Sequence, residues 1–206
     1  MKQLYFVRHG QTEWNAIARM QGQWNSDLNE LGRRQADRNG HFLATQHIDA
    51  MYVSPLDRTK QTAEIINQHL KLQPTFDDRI MEWDCGDWSG HLYQDVMKKW
   101  SSEWEAWQAD RFRYRGPNCE NYEDMIERSA PFLTDILATA HQNIAIVSHG
   151  MIGRVMVSQL MNHSEQQYFS YSQDNDVIYR ISVQGDSRES SYFVGGNGPE
   201  PGLAPR

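Results

Sequence analysis

Arg8, His9 and Gly10 follow directly on the apolar run Leu4-Tyr5-Phe6-Val7, and the chain continues Gln11-Thr12-Glu13-Trp14-Asn15. A strand that ends in a guanidinium, an imidazole and a glycine, and then turns into a helix, puts a cation and a nucleophile where backbone N–H groups also converge. Such an end suits a phosphoryl group. A second run, Ile144-Ala145-Ile146-Val147, ends the same way in Ser148-His149-Gly150. Two strands remote in sequence can therefore each deliver a histidine to one edge of one sheet. Arg58 opens a helical pattern after a third apolar segment, and Glu82 lies in Arg79-Ile80-Met81-Glu82-Trp83-Asp84.

An imidazole attacks phosphorus through an unprotonated nitrogen, and a carbonyl acceptor on the other ring nitrogen fixes that tautomer. Neighbouring arginines help by disfavouring the imidazolium. Arg8 and Arg58 offer planar forks matched to phosphoryl oxygens, and a protonated His149 would add a third donor as charge spreads in the transition state. A carboxyl group such as Glu82 can protonate the leaving alkoxide and then take a proton from the attacking water.

These residues need a scaffold that gathers strand ends. Strands are expected over 3–7, 49–53 and 143–147, with a late pair at 177–183 and 190–194. Helical patterns fall near 30–46, 56–70, 93–108, 121–141 and 151–161. Alternation of this kind predicts a three-layer α/β/α fold with a mainly parallel sheet, in which ligands bind beyond the carboxyl ends of the strands. Residues 83–120 hold five of the seven tryptophans and read as a small cap insertion over the site. Trp100, Trp104 and Trp107 form a helical stripe read as core. Arg111, Arg113 and Arg115 alternate on one side of an extended segment and read as a solvated face. Residues 1–194 form one domain in this reading, and the Gly- and Pro-rich stretch 195–206 is expected to be a mobile tail.

With 206 residues, 39% hydrophobic and 23% charged, the composition is that of a globular protein. No apolar run approaches the roughly 20 residues that a membrane span needs. A net charge of −7 argues against nucleic acid as a partner. The chain passes from Met1-Lys2-Gln3 straight into a β-type run, which predicts no signal peptide and a cytoplasmic location. Cys85 and Cys119 lack the spacing of a disulfide framework or a zinc site and read as free thiols. No His-x-x-x-His, Asp-x-Asp or His-Glu-x-x-His grouping supplies a metal-ligand set, so neither metal nor cofactor is expected.

Arg8-His9-Gly10-x-Thr12-x-x-Asn15, Gln21-Gly22, Ser54-Pro55-Leu56-x-Arg58-Thr59-x-x-Thr62-Ala63, Glu82 followed by Gly86-x-Trp88-x-Gly90, and Ser148-His149-Gly150 together resemble the histidine phosphatase superfamily, which includes cofactor-dependent phosphoglycerate mutase. The resemblance implies that His9 is the phosphorylated nucleophile and Glu82 the proton donor and acceptor. It also implies that Arg8, Arg58 and His149 bind the phosphoryl group, with Gly10, Thr12, Asn15, Gln21, Gly22 and Gly150 completing the phosphate pocket. Where many members carry Pro-Gly-Gly-Glu-Ser, this chain has Pro117-Asn118-Cys119-Glu120-Asn121. Loss of both glycines removes easy access to positive φ.

Only 67 positions separate Glu82 from His149. The mutases that the chain resembles have a longer insertion there, used to retain a bisphosphate intermediate, whereas a short cap admits water. Hydrolysis of a small phosphorylated metabolite is therefore the favoured reading. A phosphoglycerate mutase is the enzymatic alternative, and a catalytically silent phospho-ligand binding module the non-enzymatic one.

Overall fold

The computed structural model describes residues 1–205. Its strands are β1 (Lys2–Arg8), β2 (Ala50–Val53), β3 (Thr75–Phe76), β4 (Asn143–Ser148), β5 (Val177–Gln184), β6 (Ser187–Val194) and β7 (Asn197–Pro201). They form one sheet in the order β3-β2-β4-β1-β5-β6-β7. The four strands from β3 to β1 are mutually parallel, and β5, β6 and β7 add on antiparallel. The helices are α1 (Glu13–Ala16), α2 (Glu30–Ala44), α3 (Asp57–Leu70), α4 (Tyr93–Lys99), α5 (Ser101–Ala109), α6 (Tyr122–Ala138) and α7 (Gly150–Leu160). None is long and apolar enough to cross a membrane.

Strand alternation explains the two buried faces. Leu4 and Phe6 of β1 join Ile144 and Ile146 of β4 in a core completed by α6 and α7. Tyr5 and Val7 join Ala145 and Val147 in a second core, to which α3 contributes Ala63 and Ile66. Both faces of β1 and β4 are thus apolar, as a parallel sheet between helices requires. β1 pairs with β4 in a register that sets Arg8 opposite Ser148. His9 and His149 consequently leave the sheet side by side.

The cap is pinned by aromatic packing. Trp83 stacks on Trp107 with ring centroids 6.1 Å apart, and Trp88, fully buried, lies 5.7 Å from Trp104. The tryptophan stripe is therefore core, partly buried against the main cluster. Arg113 pairs with Glu165, Arg115 with Asp124, and Arg111 lies over the Trp107 ring.

Three expectations need correction. The helix expected over 93–108 breaks at Trp100 (φ −123°, ψ 50°) into α4 and α5. The expected mobile tail instead turns back at Gly195-Gly196, both at positive φ, and lays β7 along β6; Arg206 lies outside the described residues. Asn118 adopts φ +58°, so the left-handed turn survives without glycine; asparagine tolerates that region better than other side chains.

The turn after β1 touches α2 backbone to backbone. A Cβ on Gly32 would lie 2.0 Å from the Gln11 carbonyl oxygen, and one on Gly10 would lie 2.2 Å from the Gly32 oxygen. Gly32→Ala should therefore lower unfolding stability by roughly 1–3 kcal/mol or more, the usual range for overpacking. Urea denaturation checks this, and an unchanged midpoint would show that α2 can move away freely.

Candidate active site

His9 is placed by its neighbours on β1 and β4. Its backbone N–H donates to the Ser148 oxygen at 3.0 Å, and Asn175 Nδ2 donates to the His9 oxygen at 2.6 Å. The ring is 3% exposed, and Nδ1 lies 2.8 Å from the Gly10 carbonyl oxygen. A carbonyl only accepts, so Nδ1 carries the proton and Nε2 keeps its lone pair. Burial, then Arg58 and Arg8, hold the imidazole well below its ordinary pKa.

Arg58 is 1% exposed near the start of α3. Nη2 donates to Gly22 O at 2.6 Å, Nη1 to Trp24 O at 2.7 Å, and Nε to His149 Nδ1 at 3.2 Å. A guanidinium has five N–H donors, so two remain for the cavity it lines. Burial, partly offset by Glu82, brings its pKa down to about 10. Arg8 donates from Nη1 to Gln173 O at 2.8 Å, and its buried Nε has no partner.

His149 departs from the sequence reading. Nδ1 accepts from Arg58, and Nε2 lies 2.7 Å from Ser54 Oγ, so the proton sits on Nε2 and the ring is neutral. Burial and Arg58 push its pKa well below the ordinary value. A protonated His149 would present an N–H to the Arg58 cation, which is why the expected third cationic donor does not form. The ring meets His9 edge-on at 5.3 Å and fixes the Arg58 fork.

Glu82 caps α7. Its Oε1 accepts from Trp83 N at 2.9 Å and Ile152 N at 3.0 Å, and Oε2 from Met151 N at 3.1 Å. A carboxyl group at a helix N-terminus is favourably placed in the helix field. The loop carrying it is locked from behind: Arg128 pairs with Glu120 at 2.8 Å and donates to the carbonyls of Arg79 and Glu82, and Glu120 accepts from Asp84 N.

A cavity of about 240 Å³ opens over this set, lined by Arg8, His9, Asn15, Gln21, Gly22, Arg58, Glu82 and Gly150. Gly10, Thr12 and His149 stand behind the lining. Gly10 N donates to Thr62 Oγ1 at 3.1 Å, so its N–H is already used. Thr12 forms a capping box with Asn15 and donates to Gln21 Oε1 at 3.1 Å, aiming both amides. Gly22 sits at φ +51°, where a Cβ would meet Cys85 Sγ at 2.5 Å. The sequence reading missed Gln173, Asn175 and Arg128, and met Glu120 only as part of the Pro117–Asn121 segment; the contacts of all four join distant segments. It also missed Asp37, His41 and His69, which approach one another on α2 and α3 away from the cavity lining.

The two buried imidazoles make stability depend on pH. Below about pH 6.5 the unfolded chain protonates both, whereas the native state, with depressed pKa values, does not; stability is complete above that pH and is lost as pH falls. His9→Gln should flatten this dependence by up to about 1.4 kcal/mol per pH unit between pH 6.5 and 5.5. Urea titrations at several pH values measure it, and parallel slopes would contradict a neutral, buried His9.

Comparisons place this geometry among known proteins. The profile of the histidine phosphatase superfamily (branch 1) matches residues 4–193. Phosphoserine phosphatase 1 of Hydrogenobacter thermophilus is 33% identical over 176 residues, covering 85% of this chain and 83% of the relative. A probable phosphoglycerate mutase of Salmonella arizonae is 34% identical over 166 residues, covering 78% and 75%. A mycobacterial glucosyl-3-phosphoglycerate phosphatase, solved with VO3, superposes with a TM-score of 0.83 at 26% identity, covering 94% of this chain and 98% of the other. With two strand-end histidines, a buried and a half-buried arginine and a helix-capping glutamate gathered at one cavity, and a family match along nearly its whole length, the chain belongs to the histidine phosphatase superfamily.

Proposed function

We propose that this chain is a phosphomonoesterase that hydrolyses a small phosphorylated metabolite through a phosphohistidine on His9. The observation that carries the reading is the state of His9: Nδ1 committed to the Gly10 carbonyl at 2.8 Å, with the ring held neutral beside Arg8 and Arg58. Its Nε2 lone pair forms the N–P bond as the ester P–O bond breaks. Glu82 protonates the departing alkoxide, then takes a proton from the water that attacks the phosphohistidine, releasing orthophosphate and restoring His9. Arg8 and Arg58 stabilise the charge on the equatorial oxygens, supplying the positive field that a metal ion provides in other phosphatases. His149 holds Arg58 in register, and Asn15 and Gln21 offer neutral donors beside it.

Hydrolysis is favoured over mutase turnover by the compact cap, in which α4 and α5 meet at Trp100 and α5 packs Trp104 and Trp107 against the buried Trp88. Two phosphatases among the relatives point the same way. The free thiols Cys85 and Cys119 suit the reducing cytoplasm, where we place the enzyme.

Given 3-phosphoglycerate with 2,3-bisphosphoglycerate, the enzyme should release phosphate and form little 2-phosphoglycerate, in the presence of excess chelator as in its absence. Rapid interconversion of the monophosphoglycerates without phosphate release would identify a mutase; loss of activity in chelator with recovery on a divalent ion would overturn the metal-independent mechanism. Glu82→Gln should slow hydrolysis of an alkyl phosphate by about 10²–10⁴. It should slow p-nitrophenyl phosphate far less, since that leaving group scarcely needs a proton. Equal losses on both would remove Glu82 from proton transfer.

A further inference from the structure

The cavity holds more guanidinium groups than one phosphoryl group uses. Arg19, Arg154, Tyr93 and Asp174 line it beyond the residues assigned above. Arg19 follows α1 and lies over the Trp14 ring, 5.2 Å from its centroid. Arg154 is on α7, one turn beyond Gly150, and its one side-chain hydrogen bond is a long one, Nη1 to Tyr122 Oη at 3.3 Å. Neither has a carboxylate within ion-pair distance among the described residues. The Nε of each is buried without a hydrogen-bond partner, as is that of Arg8.

A buried guanidinium N–H left unpaired is costly, and the cost is relieved when an anion arrives. Of the six buried side-chain polar atoms without partners among the described residues, three are the Nε atoms of arginines that line this one cavity. The lining leads to the same place. Of its four arginines, Arg8 and Arg58 are taken by the phosphoryl group. Arg19 and Arg154 are left over, with planar forks that match a carboxylate.

We propose that Arg19 and Arg154 form a subsite for a carboxylate on the substrate, so that the preferred class is small phosphomonoesters carrying a carboxylate. The proposal rests on the phosphatase reading. Two substrate pairs differing at that group test it: 3-phosphoglycerate against glycerol 3-phosphate, and O-phosphoserine against O-phosphoethanolamine, with p-nitrophenyl phosphate as reference. In the pair that turns over faster, wild-type kcat/KM should favour the carboxylate member by about 30-fold or more, the scale of a charge-assisted hydrogen bond. Arg154→Gln and Arg19→Gln should each erode that preference at least tenfold, and Arg154→Lys should retain part of it. In both Gln variants the loss on p-nitrophenyl phosphate should be at least tenfold smaller than on the carboxylate ester. Turnover of p-nitrophenyl phosphate without a carboxylate preference, or equal losses on all substrates, would overturn the subsite and leave the phosphatase standing. Failure of the wild-type protein to hydrolyse any of the five would overturn both.

Discussion

Setting a buried and a half-buried guanidinium group beside two buried imidazoles fixes the terms for this molecule. Four groups able to carry positive charge share one low-dielectric region, and they coexist because the imidazoles give up their second proton. His149 makes this explicit, since its Nδ1 must be unprotonated to accept from Arg58 Nε at 3.2 Å. The guanidiniums are held by carbonyl oxygens, with Gly22 and Trp24 on Arg58 and Gln173 on Arg8. Carbonyls fix a fork without neutralising it. The positive field therefore remains available to an anion, while the same field keeps His9 nucleophilic at pH values where a solvated histidine would be partly protonated.

The fold enforces this arrangement through a few close backbone approaches. Parallel pairing of β1 with β4 sets Arg8 against Ser148, so the two Arg/Ser-His-Gly ends emerge together. The contact between Gly10 and Gly32 seats the turn after β1 on α2, and the same turn supplies the carbonyl that selects the His9 tautomer. Glu82 is fixed at both ends: its carboxyl group on the first N–H groups of α7, its backbone on Arg128, which Glu120 holds. The cap enters through Trp83, adjacent to Glu82, whose ring stacks on Trp107 and whose Nε1 donates to the Glu120 carbonyl at 2.6 Å. Cap packing and the position of the acid are thus coupled through one residue.

The local parts of this account are legible in the sequence. An apolar strand that ends in Arg8-His9-Gly10, or in Ser148-His149-Gly150, declares itself within a few residues, because strand period and turn chemistry are short-range. Arg58 is readable for the same reason, opening a helix after a strand. Gln173 and Asn175 are not, since they act from an irregular loop before β5 whose backbone meets β1 only in three dimensions. Glu120 precedes α6 and Arg128 lies in its second turn, with no periodicity to mark them, and their targets on the Glu82 loop lie 36 to 49 residues away. The protonation of His149 depends on a contact across 91 residues, so sequence shows the imidazole but not its charge. β3 has only two residues, and β7 is held by pairing with β6 despite its Gly and Pro content, so neither carries the alternation that marks β1.

The central claim is that the His9 tautomer directs phosphoryl transfer to one ring nitrogen. Rapid quenching during turnover, followed by phosphorus NMR and peptide mass spectrometry in alkali, measures it directly. The account predicts an acid-labile, alkali-stable phosphate on Nε2 of His9. Phosphate on Nδ1 of His9, on a serine such as Ser54, or on His149 would contradict it.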